Sequence, residues 1–206
     1  MTSFLFLRHG ESTWNATRRW QGRSDPPLSE RGEAQAIGAA AALGALAPFD
    51  LVVTSNLQRA RRTGELIAES AGLPLGAALT GFDERSAGEW EGRTRAEIEA
   101  ADPGSIEARR HPPGWEDDDV VVERALAALD ELAAAHPAGR LVVISHGGVI
   151  HALERHVAGE DGPWQRLDNL EGRWFEHVPG RFDVVGPRVV ALVDETHLPS
   201  IDEGYA

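Results

Sequence analysis

Two histidines and two arginines stand out in this chain, because each lies at or just beyond the end of a short apolar run. Arg8-His9-Gly10-Glu11 follows the run 4–7, Thr54-Ser55-Asn56-Leu57-Gln58-Arg59 follows 51–53, and Ser145-His146-Gly147-Gly148 follows 141–144. Imidazole is partly unprotonated near neutral pH and can attack phosphorus, splitting a transfer into two steps. A guanidinium is always charged, and its fork grips phosphate oxygens in two places. Each residue alone has an ordinary reading, a solvated loop arginine or a satisfied polar histidine. Three deliveries of the same kind to the same end of an apolar run point to a common pocket for a dianion, most simply a phosphoryl group. Gly10, Gly147 and Gly148 are turn residues that also let backbone approach a ligand closely.

Other chemistries are poorly served. The chain has no Cys, which removes disulfides, thiolate metal sites and a cysteine nucleophile. All 20 basic residues are Arg, so there is neither a Walker lysine nor a Schiff-base lysine. His146, His151 and His156 recur every five residues, which does not align them on one helix face, and HExxH is absent. No metal and no cofactor are expected. No GxGxxG follows an apolar run, which argues against a dinucleotide-binding domain.

The elements that must position these residues alternate in kind. The runs 4–7, 51–53 and 141–144 read as strands buried on both faces, as in a parallel sheet. Helices are predicted over about 29–46 with Ser29 as N-cap, 57–71 with Gly72 as the stop, and 120–135. A short helix is expected near 94–101 and another opening near Gly148. Residues 188–194 read as a last strand, with 182–185 pairing to it as a hairpin around Gly186-Pro187. The alternation predicts an α/β fold, a three-layer α/β/α sandwich with a mostly parallel central sheet and a small cap. With no repeat and no long linker, residues 1–206 read as one domain, with the cap at about 82–119. In open parallel sheets ligands sit beyond the carboxyl ends of the strands, and helix N-termini there favour anions.

Composition narrows the partners. Hydrophobic residues make up 42% and charged residues 26% of 206, the balance of a globular protein. The formal net charge is −13, which disfavours general binding to nucleic acid or to anionic lipid. The longest uncharged stretch, 34–49, is too short and too rich in Ala and Gly to span a bilayer. Nothing before Arg8 reads as a secretion signal, so a cytoplasmic location is expected. A homodimer is the default oligomer.

The segment Leu7-Arg8-His9-Gly10-Glu11-Ser12-Thr13-Trp14-Asn15 resembles the signature of the histidine phosphatase superfamily, the phosphoglycerate-mutase-like group. The resemblance continues, in the family's order, through Gln21-Gly22-Arg23-Ser24-Asp25-Pro26-Pro27-Leu28-Ser29, Ser55-Asn56-Leu57-Gln58-Arg59-Ala60, Glu84 to Gly92, and Ser145-His146-Gly147-Gly148. It implies that His9 is the phosphorus-attacking nucleophile, that Arg8, Arg59 and His146 hold the phosphoryl oxygens, and that Glu84 is the general acid. It also implies that Asn15, Gln21, Gly22 and Gly147 line the substrate side of the pocket. Arg62, one turn past Arg59, either reaches the same rim or pairs with Glu65 or Glu69.

Two departures bear on the reaction. Ala87 stands where the mutase pattern has Tyr, and Gly114-Trp115-Glu116-Asp117 replaces a Gly-Gly-Glu-Ser kind of turn. The acids of 116–119 read as a helix N-terminus, with Trp115 either packing or shaping a leaving-group pocket. A short cap favours a phosphatase acting on a small phosphorylated metabolite over a cofactor-dependent phosphoglycerate mutase. A silent phospho-ligand binder is the third alternative. Trp90, Trp115, Trp164 and Trp174 read equally as packing or as substrate-stacking residues.

Overall fold

A computed structural model describes residues 1–159, 166–178 and 181–191. Six strands form one mixed sheet in the order β3-β2-β4-β1-β5-β6. They are β1 (Thr2–Arg8), β2 (Leu51–Ser55), β3 (Leu75–Leu79), β4 (Arg140–Ser145), β5 (Glu171–Val178) and β6 (Arg181–Val190). The pairs β1–β4, β4–β2 and β2–β3 are parallel, whereas β5 and β6 add on antiparallel. The expected sandwich is therefore present, and its sheet is mostly parallel, with three parallel and two antiparallel pairs.

Side chains of a strand alternate between faces, and β1 shows what that does here. Leu5 and Leu7 join Val52, Val142 and Ile144 beneath α2 (Glu30–Leu46) and α3 (Gln58–Ala71), through Ala36, Ala39, Leu43, Ala60 and Ile67. Phe4 and Phe6 join Val53, Leu141 and Val143 on the opposite face, covered by α5 (Asp118–Ala135) and α6 (Gly147–Ala158) through Val122, Leu129, Ile150 and Leu153. Both faces of the central strands are dry, which is why their sequences are apolar throughout.

The helix boundaries follow local chemistry. The Ser29 hydroxyl accepts from Gly32 N at 3.0 Å and starts α2. Thr94 and Glu97 form a capping box at α4 (Arg95–Ala101), and Gly72 ends α3 in the left-handed region. Asp118 and Asp119 occupy the first turn of α5. Two elements are poor in sequence signal. One is α1 (Thr13–Ala16), a single turn, and the other is β3, a Leu-Gly-Ala-Ala-Leu edge strand of low β-propensity.

The expected hairpin about Gly186-Pro187 is not formed. Residues 182–185 and 188–190 belong to one strand, β6, which pairs along its length with β5. Gly172 faces Val189 and Trp174 faces Val185, so β6 carries two extra residues there, and Gly186 takes a φ of +74°. The Gly-Pro pair is a bulge rather than a turn, and an edge strand tolerates a proline that cannot donate to the ladder. Residues 192–194 of the expected last strand lie outside the described residues, as does Trp164.

A third apolar cluster sits apart from the sheet, built from Trp20, Ala87, Trp90, Ile98 and Ile106 with Trp115 against it. The Trp20 and Trp90 rings are 5.0 Å apart, and Trp90 and Trp115 are 5.6 Å apart. Trp174 lies elsewhere, stacked on Phe49 at 5.6 Å.

Candidate functional site

Sheet register brings the three motif-bearing strand ends together. Arg8 pairs with Ser145, and Ile144 pairs with Thr54, so β1, β4 and β2 end side by side. His9 and His146, which follow β1 and β4, and Ser55, the last residue of β2, emerge on one rim. From β1 the chain turns to one side of the sheet, and from β4 it leaves toward the other, which makes this the topological switch point. His9 N donates to Ser145 O at 3.0 Å and ties the first two ends to each other.

The His9 ring is oriented by both of its nitrogens. Nδ1 lies 2.6 Å from Gly10 O, and a carbonyl only accepts, so the proton is on Nδ1. Nε2 then carries the lone pair, which accepts from Arg59 Nε at 3.2 Å. The other two nitrogens of Arg59 donate to Ser24 O at 2.8 Å and Gly22 O at 2.9 Å. Arg8 donates to Leu167 O at 2.7 Å. Burial, then Arg59, then Arg8 hold the His9 imidazole well below its usual pKa, so Nε2 is free of a proton at neutral pH.

His146 N-caps α6, and its ring centroid lies 5.1 Å from that of His9. Its Nε2 is 2.8 Å from Ser55 Oγ, while Nδ1 is buried without a hydrogen-bond partner among the described residues. Burial is the largest cause that lowers the His146 pKa, followed by Arg59, His9, Arg124 and Arg8.

Glu84 lies at the N-terminus of α6. Its Oε1 accepts from Arg85 N at 2.8 Å and its Oε2 from Gly148 N at 3.2 Å. Burial pushes the carboxyl up, against the opposing pull of Arg85, Arg59 and the two N–H groups. Exposure is 5% for Arg8, 2% for His9, 0% for Arg59 and His146, and 4% for Glu84. Five ionisable side chains this dry are expensive for a fold unless their charges answer one another or a ligand.

The remaining predicted residues take up supporting places. Asn15 Oδ1 accepts from Ser12 N at 3.0 Å, and Gln21 Oε1 accepts from Ser12 Oγ at 2.7 Å. Gly22 contributes the carbonyl on Arg59, and Gly147 opens α6 with Arg8 Cδ 3.9 Å from where its Cβ would be. Arg62 turns outward to Glu33 at 2.8 Å and Glu65 at 3.4 Å, half-exposed. Glu116 pairs with Arg23 and Arg124, and Asp118 pairs with Arg85 and Arg155. Their charges are thus answered within the protein rather than presented to a substrate.

Five contributors escaped the sequence reading. Asn169 Nδ2 donates to His9 O at 2.8 Å, and Leu170 N donates to Arg8 O at 3.0 Å. Thr63 Oγ1 accepts from Gly10 N at 3.1 Å and donates to Arg59 O at 2.7 Å. Glu91 accepts from Arg23 N, Ser24 N, Ser24 Oγ and Ala87 N, knotting the 22–24 loop that holds Arg59. Asp83 Oδ1 accepts from Ser55 Oγ at 2.9 Å and from Asn56 N at 2.7 Å. Only the Asn169 segment carried a hint, a polar pair just ahead of a strand; the others are contacts between segments distant in sequence.

The model of the histidine phosphatase superfamily (branch 1) matches residues 4–188. A protein of Bacillus subtilis named uncharacterized phosphatase PhoE is 34% identical over 161 residues, covering 78% of this chain and 80% of that one. A protein of Cronobacter sakazakii named probable phosphoglycerate mutase GpmB is 33% identical over 219 residues, covering 98% and 99%. A solved mycobacterial glucosyl-3-phosphoglycerate phosphatase in complex with VO3 superposes with a TM-score of 0.77 at 31% identity, covering 88% of this chain and 96% of that one.

Proposed function

The chain belongs to the histidine phosphatase superfamily, and from that membership we propose that it hydrolyses phosphomonoesters of small phosphorylated metabolites through a phosphohistidine on His9. The observation that carries this reading is the state of the His9 ring. Nδ1 is spent on Gly10 O, and the lone pair of Nε2 faces the guanidinium of Arg59. In the first step Nε2 attacks phosphorus in line with the leaving oxygen, while Arg8, Arg59 and His146 hold the equatorial oxygens. Removing one such donor typically costs ~10²–10³ in rate. Glu84, whose carboxyl burial pushes above its ordinary value, gives its proton to the leaving alkoxide and then takes one from the water that hydrolyses the phosphohistidine. The charge a metal would bring is supplied by the two arginines, so turnover is expected to persist in EDTA.

Asn15, Gln21, Gly22 and Gly147 are proposed to border the substrate, and residues 82–119 to form a cap with the tryptophan cluster as its core. The mycobacterial structure is named for a phosphatase of a glycosylated phosphoglycerate, which supports a small sugar-acid or sugar phosphate as substrate class. The alternative is phosphoryl transfer between hydroxyls of a phosphoglycerate, the activity named for the Cronobacter relative. Ala87 weighs against it, since it stands where the mutase pattern has Tyr and is fully buried in the tryptophan cluster. A cytoplasmic homodimer without nucleic-acid or membrane partners belongs to the same proposal. The part concerning partners is supported by the charge of −13, which disfavours polyanions, and by the lack, among the described residues, of a helix long and apolar enough to cross a membrane.

Quenched-flow turnover of p-nitrophenyl phosphate tests the reading. Acid-labile phosphate should appear on the wild type and be absent from His9→Ala. With 3-phosphoglycerate and a trace of the bisphosphate, phosphate release should outrun isomerisation; the reverse order would establish the mutase.

A further inference from the structure

We propose that Asp83, acting through the Ser55 hydroxyl, holds His146 as its Nε2–H tautomer, so that Nδ1 takes up a proton from solvent when a phosphoryl dianion enters. Asp83 and Ser55 are positioning residues in this scheme, which rests on the phosphatase reading of the site.

Proton counting on one oxygen carries the argument. Ser55 Oγ contacts Asp83 Oδ1 at 2.9 Å, His146 Nε2 at 2.8 Å and Leu57 N at 3.1 Å. A hydroxyl has one proton and two lone pairs. The carboxylate can only accept, so the hydroxyl proton goes to Asp83, and both lone pairs face donors. Leu57 N is one of these donors, and His146 Nε2 must be the other. Asn56 N adds a second bond to the same carboxylate oxygen at 2.7 Å, which holds Asp83 in place.

Neutral His146 therefore shows a bare lone pair at Nδ1, the one buried atom of this ring left without a partner. Buried polar atoms in native folds are nearly always satisfied, so an exception beside a nucleophile marks a place for a ligand atom. A phosphoryl oxygen is also only an acceptor. Lone pair against lone pair repels, whereas a protonated Nδ1 donates a charge-assisted bond. The groups that face the ring set when the proton arrives. His9 and Arg8 from the end of β1, Arg59 from α3 and Arg124 from α5 disfavour a charge on His146, as does burial. The Asp83 carboxylate, through Ser55, acts in the opposite sense, whereas Glu84, beside the start of α6, brings no charge there in the acid form that the leaving oxygen needs. A dianion placed among the cations reverses the local field, and the ring charges.

The test uses full-length chain labelled with 15N-histidine and tungstate, a tetrahedral dianion in mildly alkaline solution. Long-range 15N–1H spectra report both tautomer and charge, with the His146 signals identified by their loss in His146→Gln. Without tungstate, Nε2 should carry the proton and Nδ1 should be bare; with tungstate, both should be protonated. Asp83→Asn keeps an acceptor for Ser55 but removes the charge, and should lower the pH at which bound-state His146 loses its proton by about one unit, weakening tungstate about tenfold at pH 8. Ser55→Ala should let the ring exchange tautomers. An Nδ1–H tautomer in the free wild type, a neutral His146 beside bound tungstate at about pH 7.5, or an unmoved pH dependence in Asp83→Asn overturns the proposal. The wild-type spectra decide even where a variant does not fold. Failure of tungstate to bind would overturn the phosphatase reading instead, while the spectra of the free chain still judge the tautomer.

Discussion

Gly148→Ala separates catalysis from folding more sharply than any change to a charged residue of this site. An ideal Cβ at 148 would lie 2.3 Å from Glu84 Oε1, 3.1 Å from Glu84 Cδ and 2.9 Å from Arg85 Nε, whereas ordinary contact begins near 3.4 Å. The colliding oxygen is the far end of a flexible side chain, so the fold yields at little cost by moving the carboxylate. The retreat needed is about 1 Å, and a misplacement of that size can cost ~10²-fold in rate, or about 2.7 kcal/mol of transition-state stabilisation. Alanine in place of glycine near the start of α6 is itself favourable by up to about 1 kcal/mol. The thermal midpoint should therefore hold or rise while activity falls. The assay compares kcat/KM for an alkyl phosphate, whose leaving oxygen needs a proton, with p-nitrophenyl phosphate, whose leaving oxygen does not. The alkyl ester should lose ~10² and the aryl ester less than tenfold. Equal losses on both esters, or none on either, would refute the placement of Glu84 as the acid that Gly148 makes room for.

The pH profile of kcat/KM on an alkyl phosphate should fall on the alkaline side, because Glu84 must be protonated and its carboxyl is raised by burial; Glu84→Gln should flatten that limb and lower the maximum by ~10²–10⁴. Activity should persist into mildly acidic solution, since His9 is held well below 6.5 and keeps its lone pair there. Stability has the opposite acid response. The folded pKa values of His9 and His146 are depressed, so their contribution is complete above 6.5 and is lost as pH falls toward the folded values, at up to about 1.4 kcal/mol per pH unit for each ring. Urea midpoints at pH 7.5 and 5.5 check this, and His146→Gln should reduce the difference. Asn169→Leu removes the donor on His9 O and leaves a buried carbonyl unsatisfied, which should cost about 1–3 kcal/mol of stability and lower kcat more than it raises KM. A wild-type kcat in that variant would limit Asn169 to a structural role.

What the chain by itself determined is local. Residues 4–7, 51–53 and 141–144 are apolar on every position because both faces of those strands are dry, and that pattern needs no knowledge of neighbours. Ser29, Thr94 and Gly72 mark helix ends through bonds to residues no more than a few positions away, so they too are legible. The motifs after each strand were readable as phosphate chemistry because arginine and histidine are the side chains that chemistry needs. Convergence was decided by the sheet. Only the register of β1 on β4 and of β4 on β2 places His9, His146 and Ser55 on one rim, and register is a property of pairing between residues 137 and 90 positions apart. The same holds for Asn169 on His9, Glu91 on the 22–24 loop and Asp83 on Ser55, contacts between loops with no periodicity to betray them. The mistaken turn at Gly186-Pro187 has this cause as well. A glycine–proline pair has the same local conformational preferences in a tight turn and in an edge-strand bulge, and only the partner strand tells the two apart.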